Sequence, residues 1–123
     1  MDIKDQWQVC SLELSKRLKE LGYPQKGVWY WVKHFECRTD RFQWDLFLED
    51  DDDDVNECIF APTAAEIGMA LPLTTWFNHS ERGFEVHDVN AKKDFVAGNE
   101  ANARGLMWEY LKKNGLLKEK NDV

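Results

Sequence analysis

Six consecutive carboxylates, Glu49 and Asp50, Asp51, Asp52, Asp53 and Asp54, set the first limit on how this chain can fold. Neighbouring charges about 6 Å apart repel by roughly 0.6 kcal/mol per pair even in water, and aspartate is a poor strand former. The run is therefore expected to be a loop, at about 49–57, between two structured halves of one globular domain spanning 1–123. Between Asp40 and Glu57 stand nine acidic residues and one arginine, more negative charge than the chain's whole net of −7. Such runs stay solvated and often serve as interaction surfaces.

A chain of 123 residues buries roughly two thirds of the surface it exposes when unfolded, enough for one core. Hydrophobic residues make up 43% and charged residues 32%, which excludes a disordered composition. Six Trp, seven Phe and three Tyr supply large apolar area, so a disulfide framework is not needed. The cysteines, Cys10, Cys37 and Cys58, are odd in number and widely spaced, as expected of reduced thiols. A zinc site would have to gather His34, Cys37, Cys58, His79 and His87 from separate segments, so none is expected. The first residues, Met1 to Asp5, are acidic and lack the apolar centre of a signal peptide. No apolar run approaches the ~20 residues of a membrane span, and a cytoplasmic location without membrane contact is expected.

Ser11 to Leu21 reads as a helix, with Cys10, Leu14, Leu18 and Leu21 on one stripe and Gly22 as its stop. Lys16, Arg17 and Lys19 fall on its wet face, where charge serves solubility. Val28–Phe35 and Phe42–Glu49 read as strands joined in a hairpin. The first is apolar on both sides, with Trp29, Trp31 and Phe35 on one and Tyr30, Val32 and His34 on the other, so it belongs in the sheet interior or carries a sticky face. Cys58–Phe60 is a candidate short strand, and Thr63 with Glu66 forms a capping box opening a helix of about nine residues that Pro72 ends. Thr74–His79 and Gly83–Val89 read as a second hairpin, with a further short strand near Asp94–Ala97. Asn99 caps a final helix whose stripe is Ala103, Leu106, Met107, Tyr110 and Leu111. The expected class is α+β, a mostly antiparallel sheet of about four strands in two hairpins covered by three helices.

Three strings carry a resemblance: Cys10-Ser-Leu-Glu-Leu-Ser-Lys-Arg-Leu-Lys-Glu-Leu-Gly22, Ala61-Pro-Thr-Ala-Ala-Glu-Ile-Gly-Met-Ala-Leu-Pro72 and Asn99-Glu-Ala-Asn-Ala-Arg-Gly-Leu-Met-Trp-Glu-Tyr-Leu111. Together they resemble small uncharacterised proteins encoded by bacteriophages and prophages. The layout is also similar to phage α-β-α sandwich domains. The resemblance implies a phage or prophage origin, hence a host-cell cytoplasm, and carries no catalytic residue with it.

Chemical motifs are sparse. A calcium loop starting at Asp50 would place Val55 and Ala61 where glycine and glutamate belong. Phosphate-cradling glycine loops and a strained nucleophile elbow are missing from the sequence. His34, His79 and His87 are the candidates for proton transfer if the chain has a reaction to catalyse. No catalytic residue, cofactor or metal is expected. A −7 chain repels phosphates, so direct nucleic-acid binding is not expected either. The leading expectation is a protein-interaction module, monomeric or homodimeric. It would dock on a host or phage protein with a basic surface, in one version by imitating DNA phosphates. Its candidate partner-binding residues are Glu49, Asp50, Asp51, Asp52, Asp53, Asp54, Trp29 and Trp31. The alternative is a small enzyme or ligand-binding domain with a pocket between sheet and helices.

Overall fold

The computed structural model describes residues 8–48 and 58–117. Helix α1 spans Leu12–Glu20, followed by strands β1 (Trp29–Glu36), β2 (Arg41–Leu48) and β3 (Cys58–Phe60). Helix α2 is Ala64–Ala70, strands β4 (Thr75–Ser80), β5 (Gly83–Asp88) and β6 (Lys93–Ala97) come next, and helix α3 is Glu100–Lys113. The class is α+β. About four strands in one sheet is corrected to six, in two antiparallel sheets ordered β2-β1-β3 and β4-β5-β6. The two beyond the hairpins are the short strands expected at Cys58–Phe60 and near Asp94–Ala97, the latter observed as Lys93–Ala97. β3 lies along β1 with Tyr30 opposite Phe60, and β6 lies along β5 with Val86 opposite Phe95. Each pairs the backbone groups on the far side of a central strand, which burial would otherwise leave without partners.

Local signals place the helix ends. The Ser11 hydroxyl accepts from the Leu14 amide at 3.3 Å, and Gly22 takes φ +94 after the last turn of α1, a conformation that a side chain would strain. Thr63 and Glu66 form the reciprocal capping box of α2. That helix has seven residues, because Leu71 is extended, as a residue preceding proline prefers. The Asn99 side chain accepts from the Asn102 amide at 2.6 Å and starts α3.

The main core joins Leu14 and Leu18 of α1, Ile67 of α2, Val86 of β5 and Met107, Trp108 and Leu111 of α3, with Tyr23 and Phe60. A smaller cluster of Val9, Trp31, Leu46, Ile59 and Ala61 lies against the first sheet. Val9–Ser11 ties the two together by hydrogen bonds. Cys10 N donates to Pro62 O at 3.0 Å, the Trp31 indole to Cys10 O at 3.0 Å, Asn99 Nδ2 to Val9 O at 3.2 Å and Ser11 N to Asn102 Oδ1 at 2.8 Å. The basic residues of α1 also do more than face water. Arg17 Nε binds Glu109 Oε2 at 2.7 Å, Lys16 lies 5.2 Å from the Trp44 ring, and Lys19 donates to Cys58 O at 3.3 Å.

Candidate docking surface

In the first hairpin Trp29 stands opposite Leu48, Trp31 opposite Leu46, Lys33 opposite Trp44 and Phe35 opposite Phe42. Directly opposed residues share a face, so these side chains line one side of the sheet. Its near half is covered. Trp31 is 9% exposed, packed with Val9, Leu46 and Ile59, and Leu12 of α1, Trp29 and Trp44 pack against the same cluster. The far half extends beyond that cover: Phe35 is 47% and Phe42 61% exposed. Their rings meet edge to face at 5.5 Å, and Lys33 Nζ stands 5.6 Å from the Phe42 ring. Strand β2 is one edge of the sheet, and the chain leaves it for the acidic stretch at Leu48, itself exposed and opposite Trp29, at the end away from Phe35 and Phe42.

On the other side Tyr30 and Phe60 turn toward the main core. Farther out His34 Nε2 lies 2.6 Å from Asp45 Oδ2, Gln43 donates to the same oxygen at 2.8 Å, and Phe47 meets the His34 ring edge-on at 5.6 Å. Partial burial pushes the Asp45 carboxyl up, but the hydrogen bonds from His34 and Gln43 outweigh it and hold it below its ordinary range.

Of the residues expected to bind a partner, Trp31 is a core residue that anchors the sheet to Cys10, and Trp29 is half-buried. Glu49 and Asp50 to Asp54 lie outside the described residues. On this face of the first sheet the exposed aromatic residues in contact are Phe35 and Phe42. Alternation alone puts Phe35 on the face of Trp29 and Trp31, but how far α1 reaches along that face is a matter of tertiary packing.

The three histidines do not converge. His34 belongs to the first sheet, while His79 and His87 lie on opposite faces of the second, stacked on Phe84 at 4.3 Å and on Trp76 at 4.0 Å. His87 stands between Asp94 Oδ1 at 2.7 Å and Glu85 Oε1 at 3.0 Å, and the Ser80 hydroxyl donates to Glu85. That hydroxyl lowers the Glu85 carboxyl most; burial opposes it, His87 and Arg82 add to it, and the net value is below the ordinary one. A carboxylate depressed in this way contributes stability above its unfolded pKa of about 4.3 and loses it as pH falls through the folded value. Ser80→Ala should therefore cost more stability near pH ~7 than near pH ~2 in urea unfolding. Equal losses at both would mean that the hydroxyl does not act on the carboxylate.

Burial pushes the Cys10 thiol far up, which disfavours the thiolate a nucleophile needs, and raises Cys58 as well. Among the described residues no three His, Cys, Asp or Glu side chains are placed to hold a metal ion, and no helix is long and apolar enough to cross a membrane. No family model, curated protein or solved structure matches this chain.

Proposed function

We propose that this chain is a protein-binding module that docks through the far half of the β1–β2 hairpin and the acidic stretch that follows it. The observation that carries this reading is the edge-to-face pair of Phe35 and Phe42, exposed on the same face on which Trp31 and Leu46 are buried. Exposed aromatics beside a buried anchor are the usual makings of an interface hot spot. The run Glu49–Asp54, which follows β2 in the sequence, would select a partner with a basic surface and speed its approach. The resemblance to phage and prophage proteins makes that partner a host or phage protein, and a groove that normally holds DNA phosphates is one surface of matching charge.

The test is an affinity capture from host lysate at low and moderate salt. It compares the parent with Phe35→Ala/Phe42→Ala and with a version carrying Asn at Asp50 to Asp54. The alanine pair should melt as the parent does and bind the captured protein about 30-fold more weakly, on the order of 2 kcal/mol for a hot spot. The asparagine version should lose the salt dependence of capture. If both variants hold the same protein as tightly as the parent, at every salt, the docking reading fails.

A further inference from the structure

Among the described residues Arg104 is the least satisfied charged group of the interior. Its side chain is 17% exposed, and the guanidinium lies over Phe77, with its central carbon 3.8 Å from the ring centroid. Gly68 of α2 lies so close that a Cβ there would overlap Nη1. The group is thus held in place by neighbours on more than one side. Yet of the five N–H donors of a guanidinium, Nη1 alone is well used, donating to Ala64 O at 2.8 Å. Nη2 is 3.6 Å from Glu100 Oε2, too far for a hydrogen bond, and Nε is the one buried side-chain nitrogen or oxygen among the described residues that lacks a partner. Buried donors are normally satisfied, and a buried charge more so.

Arg104 also lines a cleft of about 180 Å³ between the second sheet and the first turns of α3, together with Phe77, His79, Phe84 and two carboxylates, Glu85 and Glu100. The His79 and Phe84 rings are stacked face to face, centroids 4.3 Å apart at an interplanar angle of 1°, and together form a rigid aromatic wall. A wider cleft of about 570 Å³, beside Thr63 and Asn99, shares Phe84 and Glu100 with the first. An immobilised guanidinium whose Nη2 makes no hydrogen bond, beside a stacked pair of rings in a concave wall, matches a small aromatic group bearing one negative head. We propose that this cleft binds a small flat aromatic anion, its carboxylate or phosphate head on Arg104 and its ring against His79 and Phe84. Glu100 is the competing carboxylate at the same guanidinium.

The experiment is an amide chemical-shift titration of the full chain with benzoate and with phenyl phosphate, at about 0.15 M salt so that the −7 net charge is screened over roughly 8 Å. Benzyl alcohol and benzylamine serve as neutral and cationic controls. At least one anion should produce saturable shifts at Phe77, Phe84, Ala103 and Arg104 with a Kd of about 1 mM, as suits so few atoms, and the better of the two identifies the head group. Arg104→Gln should weaken binding about 10-fold, the loss of one charge-assisted contact. Because Arg104 also ties α2 to α3, Glu100→Gln provides the second variant. Removing that competitor should tighten the anion about 3-fold, a modest partly exposed charge effect. No saturable shift up to about 20 mM, some twenty times the expected Kd, overturns the proposal. So does equal binding of benzylamine or benzyl alcohol, or an affinity that Glu100→Gln leaves unchanged.

Discussion

Trp31→Ala should lower the unfolding free energy by about 4 kcal/mol, within the roughly 3 to 5 kcal/mol typical of a large aromatic truncated in a core. The indole is almost wholly buried in a cluster with Val9, Leu46, Ile59 and Ala61, and this cluster is small enough that losing its largest member leaves a cavity bounded by two strands and the N-terminal segment. The substitution also removes the donor that binds Cys10 O at 3.0 Å and links the first sheet to Val9–Ser11. Trp31→Phe, which keeps most of the volume and loses that hydrogen bond, should cost less, about 1 to 2 kcal/mol. Urea denaturation followed by far-UV circular dichroism would measure both. A loss below about 1.5 kcal/mol for the alanine variant would mean that the first sheet unfolds apart from the rest, since a cooperative domain must register so large a change.

Gly105→Val should destabilise by about 3 kcal/mol, at the upper end of typical overpacking costs. Helix propensity alone gives the opposite sign, because valine is a better helix former than glycine by a few tenths of a kcal/mol. The packing wins because Gly105 faces α1: a Cβ there would lie 2.7 Å from Leu14 Cδ2 and 2.9 Å from Cys10 Sγ, and both of those residues are buried. Valine adds two further heavy atoms beyond that Cβ to the same crowded space. Leu106→Val, at a partly buried neighbouring position, should cost about 1 kcal/mol and serves as the control. If Gly105→Val proves neutral in thermal unfolding, α1 and α3 are not in the close contact described.

These two positions also mark where sequence reading stops. The stripe Ala103, Leu106, Met107, Tyr110 and Leu111 predicts one buried face for α3, whereas Ala101, Gly105, Trp108 and Glu109 are buried as well and Leu106 and Tyr110 only partly. The helix is central: α1 meets it at Gly105, α2 at Arg104 through Gly68, and the second sheet at Tyr110 through Phe95. Small residues allow that approach, and an amphipathic stripe does not reveal how many neighbours a helix has. Arg17 and Glu109 illustrate the same limit, since each reads as surface charge on its own helix and the pair forms only when the two helices pack. In the candidate docking surface, β1 was legible as a strand with two apolar faces and is the central strand of its sheet. Which aromatics remain outside was not legible, because Trp31 and Phe35 share a face and differ only in what lies over them.

What the sequence determined by itself was local: the caps at Ser11, Thr63 and Asn99, the stop at Gly22, the two hairpins, and the concentration of negative charge after Leu48. Each depends on hydrogen bonds, backbone angles or charges within a few residues, which neighbouring side chains specify directly. The tertiary structure decided the addition of β3 and β6 as third strands, the burial of Trp31 against the exposure of Phe35 and Phe42, and the placing of Arg104 between Phe77 and Gly68. Those outcomes depend on contacts between residues far apart in the chain. Local periodicity tells which side chains share a face, but only the packing of whole elements determines what covers it.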